Sequence, residues 1–354
     1  MLRHVITGGS GFTGSALIRG LAATEAEITV FDRRPPADPA LRQRVTYVAG
    51  DVRNPNDLAK LCLCSNDAVY HLAARQFADA VPRWGRHQWF ADVNAGGTRN
   101  LVNAMAASGA RRLVFFSTDM TYGRPTCCPV PPTHPQRPLG PYGNSKLQAE
   151  RIIRDASGIT ATIFRPRLIT GPGRLGILGK LFRLIKAGLP VPMIGSGDNR
   201  YQMVGVEDCV RAALMAIEAD CPSGPFNLGS ALPPTTRALL LAIIREQGSR
   251  SILLPVPASP LKAVLAMLDQ FGATLLYPEQ FGIADLDILL DTSETERVLG
   301  WTPLKGDIEM MNAAYVAFVN PDPVGWRGDD TKPVANANTQ SAVDQHTFRQ
   351  ETSA

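Results

Sequence analysis

Long apolar runs are missing from this chain. None reaches the about 20 residues that crossing a bilayer requires, and the longest candidate, 261–271, is broken by Lys262 and Asp269. That argues against an integral membrane segment and leaves at most a peripheral contact. Cysteine is sparse: Cys62, Cys64, Cys127, Cys128, Cys209 and Cys221 form no CxxC pair, so neither a zinc site nor a dithiol redox motif is expected and no metal is assigned. One-sided charge is also missing. The 36 Lys and Arg face 32 Asp and Glu, a net charge of +4 without any block of like sign. A nucleic-acid surface would need clustered cations. Arg33-Arg34 and Arg111-Arg112 read instead as solvated edges or neighbours of a bound phosphate. No export signal precedes the strand-like start, which gives a cytoplasmic expectation with free thiols.

What is present is ample apolar content. The 354 residues are 45% hydrophobic and 19% charged, the balance of a globular chain large enough to bury a full core. That length suits two domains, or one large domain with a cap. Strand patterns at 3–7, 28–31, 45–48, 68–70, 113–116 and 160–164 alternate with helical stretches, among them a long one near 90–107 and another starting at Tyr142. This alternation predicts βαβ units around a parallel sheet. After Gly171-Pro172-Gly173 the rhythm changes to a smaller, irregular lobe. The expected organisation is an α/β Rossmann-type doubly wound sheet over 1–172. A substrate lobe over 173–320 follows, with some segments returning to the core. A polar tail over 321–354 lacks periodicity and is expected to be disordered.

Two motifs carry chemistry. Thr7-Gly8-Gly9-Ser10-Gly11-Phe12-Thr13-Gly14 lies between the first strand and first helix. Its glycines allow a tight turn that brings backbone N–H groups close to a pyrophosphate at a helix N-terminus. Asp32 ends the second strand, where a carboxylate can bind adenosine ribose hydroxyls. It favours NAD by repelling a 2′-phosphate, while the adjacent Arg33 and Arg34 keep NADP open. Asp51-Val52 after the third strand can meet the adenine, or simply cap a helix.

The second motif is Tyr142-Gly143-Asn144-Ser145-Lys146, which places a phenol and an ammonium one helical turn apart. A free Tyr ionises near ~10, so a base working near neutrality needs roughly 3 pKa units, about 4 kcal/mol, of help. A neighbouring Lys⁺ and a cofactor cation can supply much of it. Ser117-Thr118-Asp119 follows a strand, where ligands bind in open α/β sheets, and a hydroxyl there can hold the reacting oxygen.

Together these residues resemble the extended short-chain dehydrogenase/reductase family, the NAD-dependent epimerases/dehydratases, over about 1–318. The resemblance extends to His71-Leu72-Ala73-Ala74, Asn94, Phe164-Arg165-Pro166, Gly195 to Tyr201 and Leu299-Gly300-Trp301. It implies Thr118, Tyr142 and Lys146 as the catalytic set. It implies Gly8, Gly11, Phe12, Thr13, Gly14, Asp32, Arg33, Asp51, Val52, Ala73, Ala74, Ser117, Tyr142, Lys146 and Pro166 around the cofactor. Thr118, Asp119, Arg167 and Arg200 would face substrate, Asn94 would order the surroundings, and helices near 90–107 and 142–156 would pair a homodimer. Two departures bear on substrate. Met120 stands where 4,6-dehydratases carry Glu, which argues against dehydration. Leu168 stands where nucleotide-sugar enzymes usually carry Asn, and the run 165–173 looks more like hydroxysteroid dehydrogenases and dihydroflavonol reductases. Three readings follow: a nucleotide-sugar epimerase or dehydrogenase first, a lipophilic alcohol or ketone oxidoreductase second, and a non-catalytic NAD(P)-binding regulator third.

Overall fold

The structure is a computed structural model that describes residues 2–174 and 176–321. Most of the expected polar tail therefore lies outside the described residues. Eleven strands are described: β1 (Arg3–Thr7), β2 (Glu27–Asp32), β3 (Thr46–Ala49), β4 (Asp67–His71), β5 (Arg112–Phe116), β6 (Thr160–Pro166), β7 (Leu168–Thr170), β8 (Val191–Ile194), β9 (Met203–Gly205), β10 (Gly224–Leu228) and β11 (Leu253–Val256). Seven of them form one sheet in the order β10-β6-β5-β4-β1-β2-β3, and every pairing in it is parallel.

Both faces of this sheet are covered, so its strands are apolar at successive positions rather than alternately. In β1, Ile6 turns toward Leu17, Ile18, Val30 and Tyr70, while Val5 turns toward Phe31, Val69, Leu101 and Leu113. Strand order reverses between β1 and β4. The crevice beyond their carboxyl ends is where a doubly wound sheet binds its ligand.

The strands expected in the first half are all present. The helical stretch near 90–107 is instead three pieces: Arg86–Ala91, a π-helical turn Asp92–Gly97, and Thr98–Ser108. A Cβ on Gly97 would lie 2.5 Å from Val52 Cγ2, so this glycine lets the helix pass close to the loop after β3.

Beyond Gly173 the chain does not simply form a separate lobe. β10 pairs with β6 at the sheet edge, helix Val206–Glu218 packs on helix Phe12–Ala22, and fully buried Trp301 joins the same core. Its indole Nε1 donates to Asp208 O at 2.9 Å. The smaller lobe keeps two short parallel pairs, β8–β11 and β7–β9, over a core of Phe182, Met193, Met203, Leu239, Ile243 and Tyr315. No helix among the described residues is long and apolar enough to cross a membrane.

Candidate active site

The glycine-rich turn sits at the β1–β4 crevice. Gly8 has φ +73, and a Cβ there would meet Ala73 N at 2.5 Å; one on Gly14 would meet Gly8 O at 2.4 Å. These two glycines are demanded by the fold itself, because turn, helix and the end of β4 touch there. Gly11 differs. Its nearest neighbour to a Cβ is Gly8 O at 3.3 Å, and it is the N-cap of helix Phe12–Ala22 without any side-chain cap. A helix N-terminus without a side-chain cap is a favourable place for an anion.

Asp32 reaches over this turn and accepts from Ser10 N at 3.1 Å and Arg34 N at 3.4 Å. Burial raises its pKa, while the Ser10, Arg34 and Arg33 amides pull it down. Arg33 is exposed. Asp51 is clamped by Arg53, at 2.6 Å between Oδ2 and Nη2, which lowers its pKa. Val52 packs against Gly97 and its carbonyl accepts from Asn100. Phe12 is buried, and Thr13, Ala73 and Ala74 are half-buried beside it in the chain turns. This set fits a dinucleotide: a helix N-terminus without a side-chain cap, a close-packed glycine turn, and a carboxylate at the end of β2.

Thr118 is among the groups that draw the Tyr142 phenol pKa down. Thr118 Oγ1 also accepts from Met120 N at 3.3 Å and donates to Asp119 Oδ1 at 3.2 Å. Tyr142 is the second residue of helix Pro141–Arg154. Its ring meets Phe77 at 5.1 Å and Phe90 at 5.6 Å, and Phe77 in turn stacks on Tyr277 at 4.8 Å. Burial pushes the phenol above its ordinary value, and Arg174, not Lys146, is the strongest charge drawing it down. Lys146 is 3% exposed, with Nζ 4.2 Å from the Phe115 ring centroid. Burial lowers its pKa to about 7 against an opposing effect of Glu150. Without a bound cation, desolvation outweighs the neighbouring charges at the phenol.

Further side chains support the site, and Glu279, Arg174 and Glu150 among them were not singled out from sequence. Glu279, from the second lobe, accepts from Tyr142 N and Gly143 N, both at 2.9 Å. Gly140 precedes the helix without a capping side chain, so this distant carboxylate caps it. Burial raises the Glu279 pKa. Arg174 lies over Phe12 at 5.5 Å and donates to Gln76 at 3.3 Å. Glu150 and Arg165 form a buried pair at 2.7 Å. The Ser117 hydroxyl donates to Glu150 at 2.5 Å, which turns it toward that pair. Asn94 donates to Arg75 O and Ser145 Oγ, joining the loop after β4 to the Tyr142 helix. His71 bridges Thr7 and Thr98 at 2.7 and 2.9 Å; burial lowers its pKa to about 3, so it stays neutral.

Asp119 pairs with Arg167, whose guanidinium lies 4.6 Å from the Tyr201 ring centroid. Pro166 is buried at the end of β6. Arg200 is instead exposed and engaged by Asp287 at 2.5 Å. Leu168 pairs in register with Met203 and packs on the second-lobe core.

Among solved structures, the chain resembles MoeE5 in complex with UDP-glucuronic acid and NAD, at 25% identity and TM-score 0.71, covering 90% of this chain and 99% of that one. A UDP-glucose 4-epimerase of Lacticaseibacillus casei is 27% identical, over 86% of this chain and 92% of its own. A 2-alkyl-3-oxoalkanoate reductase of Stenotrophomonas maltophilia is 30% identical, over 62% and 67%. Residues 4–229 match the family model described as NAD dependent epimerase/dehydratase. With a glycine turn, an Asp at the end of β2 and a Thr/Tyr/Lys set at one sheet edge, the chain belongs to the NAD-dependent epimerase/dehydratase family, and NAD is its cofactor.

Proposed function

We propose that the protein is an oxidoreductase or epimerase that moves a hydride at a carbinol carbon of a nucleotide sugar. The observation that supports this reading is Thr118, just beyond β5, acting on the Tyr142 phenol, with Lys146 one turn further along the same helix and its Nζ 4.2 Å from the Phe115 ring centroid of β5. NAD, when bound, supplies the hydride acceptor and a cationic ring. Gly8, Gly11, Phe12 and Asp32 would hold it, with the N-terminus of helix Phe12–Ala22 toward its diphosphate. Thr118 holds the substrate oxygen. Tyr142 takes the hydroxyl proton, and Lys146 and Arg174 stabilise the phenolate that must exist to do so. An epimerase returns the hydride to the opposite face; a dehydrogenase releases reduced cofactor. No carboxylate stands at Met120, so elimination of water lacks its acid.

The relatives named UDP-glucose 4-epimerase support the nucleotide-sugar substrate. The test is turnover of UDP-glucose and UDP-galactose by the NAD-loaded enzyme. Tyr142→Phe should lower kcat by about 10²–10⁴-fold, the usual worth of a general base, with NAD binding retained. Turnover by Tyr142→Phe close to wild type would overturn the mechanism. We read the protein as a cytoplasmic homodimer paired through helices Thr98–Ser108 and Pro141–Arg154, whose outer faces share a groove lined by Arg99, Asn103, Gln148 and Arg151.

A second reading, reduction of a lipophilic ketone, has one observation in its favour. Val264, Met267, Phe271 and Leu275 are all exposed, along the segment that leads to Tyr277 beside Phe77, and one relative is named as an oxoalkanoate reductase. Oxidation of reduced cofactor by a long-chain 3-oxo acid, with UDP-sugars inert, would move the assignment there.

A further inference from the structure

Arg167 is 3% exposed, and only its Nη1 finds a partner, Asp119 Oδ2. Nε and Nη2 are buried with no hydrogen-bond partner. These two nitrogens form one flat edge of the guanidinium, whose parallel N–H bonds match two oxygens of a single carboxylate or phosphate. Buried donors are nearly always satisfied, so an entire empty edge marks a missing acceptor or a site of function.

Its surroundings favour the second. Asp119 joins Arg167 to Thr118, the hydroxyl proposed above to hold the substrate oxygen. The empty edge is thus carried by a short relay from the reacting oxygen. The half-exposed Tyr201 covers the guanidinium face and leaves the edge in its plane uncovered by that ring.

We propose that the Nε/Nη2 edge of Arg167 binds a carboxylate carried on the sugar itself, making the preferred substrate a nucleoside-diphosphate uronate. This rests on the nucleotide-sugar reading above. A diphosphate oxygen offers the same chemistry from a second source, and the test separates the two.

NAD-loaded enzyme is titrated with UDP, UDP-glucose, UDP-glucuronate and UDP-glucuronamide, the last replacing the carboxylate by a neutral carboxamide. The wild type should bind the uronate at least tenfold more tightly than either neutral sugar. Arg167→Lys keeps a charge for Asp119 but has no edge; it should erase that preference while UDP alone is weakened much less than the uronate. Equal wild-type affinity for uronate, hexose and carboxamide overturns the proposal, and needs no variant to fold. A loss for UDP as large as for the uronate also overturns it, and places the edge on the diphosphate. Binding of no UDP-sugar at all would instead overturn the nucleotide-sugar reading on which it stands.

Discussion

Lys146→Met tests the electrostatics of the site directly. The ammonium is 3% exposed, and its pKa falls from an ordinary 10.5 to about 7, chiefly through desolvation. At about 1.4 kcal/mol per pKa unit, that fall corresponds to roughly 5 kcal/mol. Relaxation around a buried ion reduces it, so about 2–5 kcal/mol is expected. The sign follows from proton counting. Between pH 7 and 10.5 the unfolded chain holds the Lys proton and the cofactor-free native state does not. Native stability attributable to this group therefore rises with pH across that window. Below pH 7 the native state carries the buried charge and the full penalty. Methionine has a similar length and no charge, so it removes both penalty and slope. Urea unfolding of the cofactor-free wild type and Lys146→Met, from pH 6 to 10, measures the difference. The variant should be more stable at pH 6, and the gap should close toward pH 10. A gap constant within about 0.5 kcal/mol would refute the claim that burial holds Lys146 down. The catalytic corollary is opposite in sign: the same variant loses the charge that steadies the Tyr142 phenolate, so it should be a more stable and much poorer enzyme.

Two further predictions concern the cofactor turn and the lobe contact. Gly14→Ala, whose Cβ would lie 2.4 Å from Gly8 O, should destabilise the protein by several kcal/mol with or without NAD. Gly11→Ala, at 3.3 Å, should change unfolding by less than about 1 kcal/mol yet weaken NAD about tenfold, because it crowds the helix end; equal effects of the two in denaturation and NAD titration would refute the division between fold-required and ligand-facing glycines. Glu279→Ala leaves the Tyr142 and Gly143 amides without their acceptor and should lower stability by about 2–4 kcal/mol; unchanged urea midpoints would show that the cap carries no weight.

The chemistry-bearing pieces were legible because each is local. The glycine turn, Asp32 and the Tyr142/Lys146 spacing depend on one turn or one helix, and strand periodicity placed them at the ends of β1, β2 and in helix Pro141–Arg154. The short strands β7 to β11 were not legible. They are three to five residues long, too brief for a period to show, and β10 is opened by Gly224-Pro225, which reads as a turn.

By itself, then, the sequence determined the family, the cofactor turn and which groups are proposed to react, since fixed spacing on a strand or helix decides which side chains share a face. Only the tertiary structure decided their state. That Glu279 caps the helix of Tyr142 across 136 to 137 residues, that Arg174 rather than Lys146 draws the phenol pKa down most strongly, and that Arg167 keeps one edge unsatisfied are facts of desolvation and long-range packing. Such effects depend on which distant segments exclude water from a group, and spacing along the chain carries no record of that.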